Sequence, residues 1–209
     1  MRFKKAPLLE MGLSLAAIFL SIAAFVVLMI SAKVQGESYG YETFAIFSLV
    51  LSVLLFAALS TKKVVFTRIV FIIVISAVVL ETFINAIVCS SSFQSATLGW
   101  DTVAFLCLSI LELAASILFF VYFLINRKGN FSMLSRLLNF FAIAFHCLLA
   151  VAVIVSSFAG MFATKPMSGI GLAILLIIVS LLLLTANVFQ KNLEYKKEEK
   201  AKESEQEGE

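Results

Sequence analysis

The sequence predicts an all-α, polytopic membrane protein: a bundle of six transmembrane helices with both termini in the cytoplasm. Composition comes first. Of the 209 residues 62% are apolar and only 14% charged, and the mean hydropathy is +1.07. A soluble domain lies nearer half apolar and a quarter charged, so the surplus requires lipid as solvent. Apolar runs long enough to cross ~30 Å of hydrocarbon recur six times along the chain. Basic residues, finally, gather in alternate connections, as the positive-inside rule requires.

The six runs are residues 8–30, 44–59, 64–88, 102–125, 137–162 and 170–189. The first follows a basic start, Arg2, Lys4 and Lys5, and is too long for the apolar region of a signal peptide, so it reads as a retained helix. Pro7 suits that helix's first turn, where its missing N–H costs nothing. The second run is the shortest, and Tyr41 and Ser60 at its ends can extend it. Of the 16 basic residues all but Lys33 and Lys165 fall before the first run, around the turn between the second and third (Lys62, Lys63 and, in the first turns of the third run, Arg68), between the fourth and fifth, or after the sixth. Those four stretches are therefore expected on the cytoplasmic side, a pattern that fits the bacterial inner membrane. Asn130-Phe131-Ser132 is sequon-like but lies on that same side, out of reach of glycosylation.

The opposite loops, SAKVQGESYGYE and SSSFQSATLGWD, are short and polar, with Tyr39, Tyr41 and Trp100 placed for an interfacial aromatic belt. Residues 1–190 form the transmembrane domain. Residues 191–209 form a charged tail of mixed sign, whose start is expected to prolong the sixth helix and whose remainder is expected to be disordered. The chain offers FAIFSLVLSVLL and FAIAFHCLLAVA as a faint echo between its halves, mostly shared apolar composition.

Function is narrowed by exclusion. No phosphate-binding glycine loop, zinc-protease helix motif or nucleophile elbow is present, so an enzyme is not expected. Cys89, Cys107 and Cys147 show no metal or disulfide spacing, and one histidine without a second ligand at helical spacing is a poor zinc set. No cofactor and no nucleic-acid partner is expected. The two prolines lie outside the runs and glycines within them only near ends, so the helices read as continuous, unlike the broken helices of many carriers.

What remains is a set of polar groups in an apolar solvent. Ionisable side chains near the bilayer centre cost about 2.5–3.5 kcal/mol on insertion scales, so they are expected to face the bundle interior and pair, either as a proton relay or polar pocket or simply as ties between helices. Glu81, Glu112 and His146 are the candidates, joined by Asn85 four residues beyond Glu81. Counting about 1.5 Å per residue from the run ends puts Glu112 and His146 at similar depth, with Glu81 a turn further out. Ser109, Glu112 and Ser116 share one face of the fourth helix; Asn139, Ala142, His146 and Ala150 share one face of the fifth. Small residues beside the polar ones let helices approach closely. Glu112 is thus expected to face His146 inside the bundle, with Glu81 and Asn85 above.

Glu10, Ser14, Ala17, Ser21 and Ala24 make a small, polar face on the first helix, and Glu10 is expected to reach water or Lys5 at the cytoplasmic edge. The sixth helix, nearly all leucine and isoleucine, reads as the most lipid-facing, or as a packing face for another subunit. Two functional classes follow. One is a small transporter-like or transporter-associated protein whose cluster handles a proton or small solute. The other is a non-catalytic scaffold, subunit or assembly factor packed against another membrane protein or a second copy.

Overall fold

The structure is a computed structural model, which describes residues 6–35, 41–61, 63–95, 100–125, 133–159 and 166–206. The described residues form six α-helices: α1 (Ala6–Gln35), α2 (Tyr41–Ser60), α3 (Val64–Ser95), α4 (Trp100–Ile125), α5 (Met133–Ala159) and α6 (Pro166–Gln206). Each contains a stretch long and apolar enough to cross a membrane. With no water to satisfy backbone groups in hydrocarbon, a helix that bonds its own is the expected spanning element. The surface is accordingly apolar, with Phe19, Phe140 and Phe158 among many large side chains facing outward. This is a multi-pass membrane protein.

Consecutive helices are neighbours throughout, and α6 also packs along α1, α2 and α3. α4 packs against α3 and α5. The contact between α2 and α3 is the least extensive of the consecutive ones, so these two helices splay apart. Residues 8–34 of α1 lie against α6 through the small face noted above: Glu10, Ser14, Ala17, Ser21 and Ala24 are all buried, and Leu28 and Ser31 continue the stripe. Ser14 and Ser21 return their hydroxyl protons to the carbonyls of Met11 and Ala17, so the stripe hides its own polarity while keeping its small volume.

The expectation for α6 is overturned. Its membrane-length window is 67% buried, against 28–33% for the other five helices. It is the most enclosed helix of the bundle, where the sequence points to the most lipid-facing. Lipid tails are as apolar as leucine, so an all-leucine helix reads alike whether surrounded by lipid or by protein. Small residues decide between the two: Gly171 sits so close to Leu28 of α1 that an added methyl would stand 2.5 Å from the leucine's Cδ2. Gly169 is crowded still more closely by Ser157 of α5. The contrast between α6 and its positional counterpart α3 also makes the two halves unequal, which counts against the echoed segments as a structural repeat.

Most helices extend past the expected runs, three of their ends furthest. α1 and α3 continue through Gln35 and Ser95, into stretches read as loops. α6 continues to Gln206, through most of the tail expected to be disordered. That stretch holds Glu, Lys, Ala and Gln, all strong helix formers, without Gly or Pro, and Glu198 precedes Lys202 at favourable spacing. The sequon-like Asn130-Phe131-Ser132 and Tyr39 lie outside the described residues, as does the side chain of Cys89.

A buried carboxylate–imidazole cluster as candidate functional site

His146 is delivered by α5, Glu112 by α4 and Glu81 by α3, three consecutive helices that pack side by side. One bond orients the imidazole. Its Nδ1 lies 2.7 Å from the carbonyl oxygen of Ala142, one turn earlier on the same helix. A carbonyl can only accept, so Nδ1 carries a proton and donates it. The other nitrogen, Nε2, then points at the carboxylates: 3.1 Å from Oε1 of Glu112 and 3.8 Å from Oε2 of Glu81. His146 and Glu112 have no exposed side-chain surface, whereas Glu81 keeps 21%.

This geometry constrains the protons. In a neutral ring that donates through Nδ1, Nε2 is a bare lone pair. Facing an ionised Oε1 at 3.1 Å, it would set lone pair against lone pair. The three groups therefore share at least one proton. Neither oxygen of Glu112, nor Nε2 of His146, nor Oε2 of Glu81 has an aligned hydrogen-bond partner, so these close contacts are electrostatic rather than finished bonds. A buried polar network satisfied in this partial way is poorly suited to holding helices together.

Glu81 is the outward member. Its Oε1 accepts a 2.8 Å bond from Nδ2 of Asn85, the partner expected from their spacing. Both residues line a cavity of about 300 Å³, walled by α2, α3, α5 and α6 and touched by Phe105 of α4. Phe47 and Leu80 on its rim are about half exposed, which puts its mouth on the bundle surface where α2 and α3 splay. Glu81 thus lies between the cavity and His146, with Glu112 on the same imidazole nitrogen behind it.

The secondary candidates divide. Ser109 and Ser116 are buried on the Glu112 face, and the Ser116 hydroxyl has no hydrogen-bond partner. Asn139 is buried but does not join the cluster: its Nδ2 donates to the Leu183 carbonyl on α6 at 3.1 Å. Glu10, expected at the water's edge, is buried instead and accepts a bond from the Asn192 amide of α6. That pairing is not legible in the sequence, where Asn192 falls in the segment that reads as tail. Cys147 donates weakly to Ser180 of α6 and turns away from His146, its neighbour in sequence. Among the described residues no three His, Cys, Asp or Glu side chains are grouped to hold a metal ion.

Sequence reasoning also missed the wall facing Glu81. Tyr41, Phe44, Ser48 and Leu51 of α2 line the cavity, and their spacing of three, four and three places them on one face. That face was the available signal. No family model, no curated protein and no solved structure matches this chain. Fold and site together define the class: a six-helix multi-pass membrane protein with a carboxylate–imidazole cluster sealed behind an apolar cavity.

Proposed function

We propose that this protein is a small transporter-like membrane protein, and that Glu81, His146 and Glu112 form its proton-handling centre. The observation that carries this reading is the asymmetry of the cluster. Glu81 meets the cavity, while His146 and Glu112 lie wholly enclosed behind it without aligned hydrogen bonds. Interhelical bonds in membranes are worth only about 0.6–2 kcal/mol, a small return for burying three ionisable groups. A group that must change protonation has a stronger reason to be there.

The chemistry is short. The Ala142 carbonyl holds Nδ1–H, so proton exchange is confined to Nε2. A proton passes between Nε2 and Oε1 of Glu112 across 3.1 Å, and rotation of the Glu81 side chain closes its 3.8 Å gap to the same nitrogen. Asn85 holds the other Glu81 oxygen during that rotation. From the loop charges, both termini belong on the cytoplasmic side of a cell membrane.

The alternative is a membrane scaffold, for which the sixth helix and the small face of the first are the candidate docking faces; α6 is largely enclosed within the bundle. The test is proton flux in liposomes containing the purified protein and a pH-sensitive dye. Flux driven by an imposed gradient, cut at least tenfold in folded Glu112→Gln, supports the proposal. Equal flux in the wild type, the variant and empty liposomes sinks it.

A further inference from the structure

The cavity before Glu81 has a chemistry of its own. Its volume of about 300 Å³ lies at the lower end of the range for ligand pockets, room for one ring or a short alkyl body with a compact head. Its walls are aliphatic and aromatic: Phe44 and Phe47 from α2, Phe105 from α4, Leu149 from α5 and Leu176 from α6. Set into them is one carboxylate, Glu81, whose side chain keeps 21% exposure, with Oε1 held by Asn85 and Oε2 turned toward His146. Among the described residues no Lys or Arg lines the cavity. Aromatic faces around a carboxylate are how proteins recognise an ammonium, by the ring quadrupole and by charge. The mouth between α2 and α3 lies along the membrane-spanning surface, so an occupant partitions into lipid before it enters.

Resting on the proton-handling reading above, we propose that the cavity binds a lipophilic organic ammonium in exchange for a proton held by the cluster. Charge makes the exchange obligatory. The ammonium brings one positive charge to Glu81, so the cluster releases one proton to water and the buried charge is unchanged. No bond is made or broken beyond this transfer. Among the described residues the titratable groups facing this place are Glu81 from α3, Glu112 from α4, His146 from α5 and the Tyr41 phenol from α2, and α6 contributes only apolar side chains to the wall. By linkage, cation affinity falls as pH falls, and bound cation lowers proton affinity by the same factor.

The experiment uses the full chain in lipid nanodiscs and two probes of the same shape. Benzyltrimethylammonium carries the charge; neopentylbenzene replaces its nitrogen by carbon. Calorimetry is expected to show saturable binding of the cation alone. An indicator dye in weakly buffered solution is expected to show about one proton released per cation, with affinity weakening by up to tenfold per pH unit on acidification. Glu81→Gln is expected to lower affinity at least tenfold, and Glu81→Asp to retain part of it. The charged-against-neutral comparison needs no variant, so it stands even if Glu81→Gln fails to fold. Absence of saturable cation binding overturns the proposal, as does equal binding of neopentylbenzene or full affinity in folded Glu81→Gln. Cation binding without proton release overturns the exchange. Proton flux that depends on Glu112 without ammonium binding would remove this ligand class and leave the proton-handling centre standing; ammonium binding without flux would do the reverse.

Discussion

The Nε2 atom of His146 stands 3.1 Å from Oε1 of Glu112, and neither side chain has any exposed surface. The two residues come from different helices and are 34 positions apart in the chain. A carboxylate in a bilayer, which looks misplaced when α4 is considered alone, is answered by the only histidine in the protein. The pair accounts for its own position, but not for the third group, Glu81, which opens it to the cavity.

Replacing His146 by alanine leaves Glu112 with two buried oxygens and an empty space beside them. An unsatisfied buried polar group costs about 1–3 kcal/mol, so His146→Ala is expected to destabilise the bundle by that amount. Glu112→Gln retains the shape and supplies an N–H that can donate to Nε2, and is expected to cost under about 1 kcal/mol. Unfolding in mixed micelles of both variants checks the order. Equal losses would mean that the cluster serves as structural glue.

Gly169 is predicted to be the least tolerant glycine of α6. A methyl group there overlaps both Oγ and Cβ of Ser157, and Cβ cannot swing aside. At Gly171 the obstacle is the end of the Leu28 side chain, which can turn. Overpacking costs about 1–3 kcal/mol, so Gly169→Ala is expected near the top of that range and Gly171→Ala near the bottom. The double variant Gly169→Ala with Ser157→Gly is expected to recover most of the loss. Thermal unfolding in detergent reads the series.

Two amides tie α6 to its neighbours, Asn139 from α5 to the Leu183 carbonyl and Asn192 to Glu10 of α1. Asn139→Ala is expected to cost about 0.6–2 kcal/mol, since it removes one interhelical bond. Asn192→Ala removes a donor from a buried carboxylate and is expected to cost at least as much, while Glu10→Gln with Asn192 intact should cost less. The same unfolding assay separates them.

The proposed orientation rests on loop charge alone. With both termini cytoplasmic, a fluorescent protein fused after Glu209 in a bacterial host is expected to fluoresce, and alkaline phosphatase at the same place to be inactive. The opposite pair of results would reverse the topology.

Much of this was legible in residue spacing. Glu112 and His146 could be placed together because helical rise gives depth and helical periodicity gives face, and both numbers apply in lipid as in water. The small stripe of α1 was readable for the same reason. The cavity was not, since it exists only where α2 fails to close on α3, and no single helix records that gap.

By itself, then, the chain determines the number of spans, their continuity, the loop charges that orient them, and the face on which each buried polar group lies. These are local properties, set by run length and by a period of 3.6 residues. Tertiary structure alone decided that α6 stands inside the bundle, that Glu10 pairs with Asn192, and that Glu81, not Glu112, meets the cavity. The physical reason is the solvent. In lipid, apolarity no longer distinguishes inside from outside, so burial is settled by close packing of small residues between helices, which appears only when the helices are brought together.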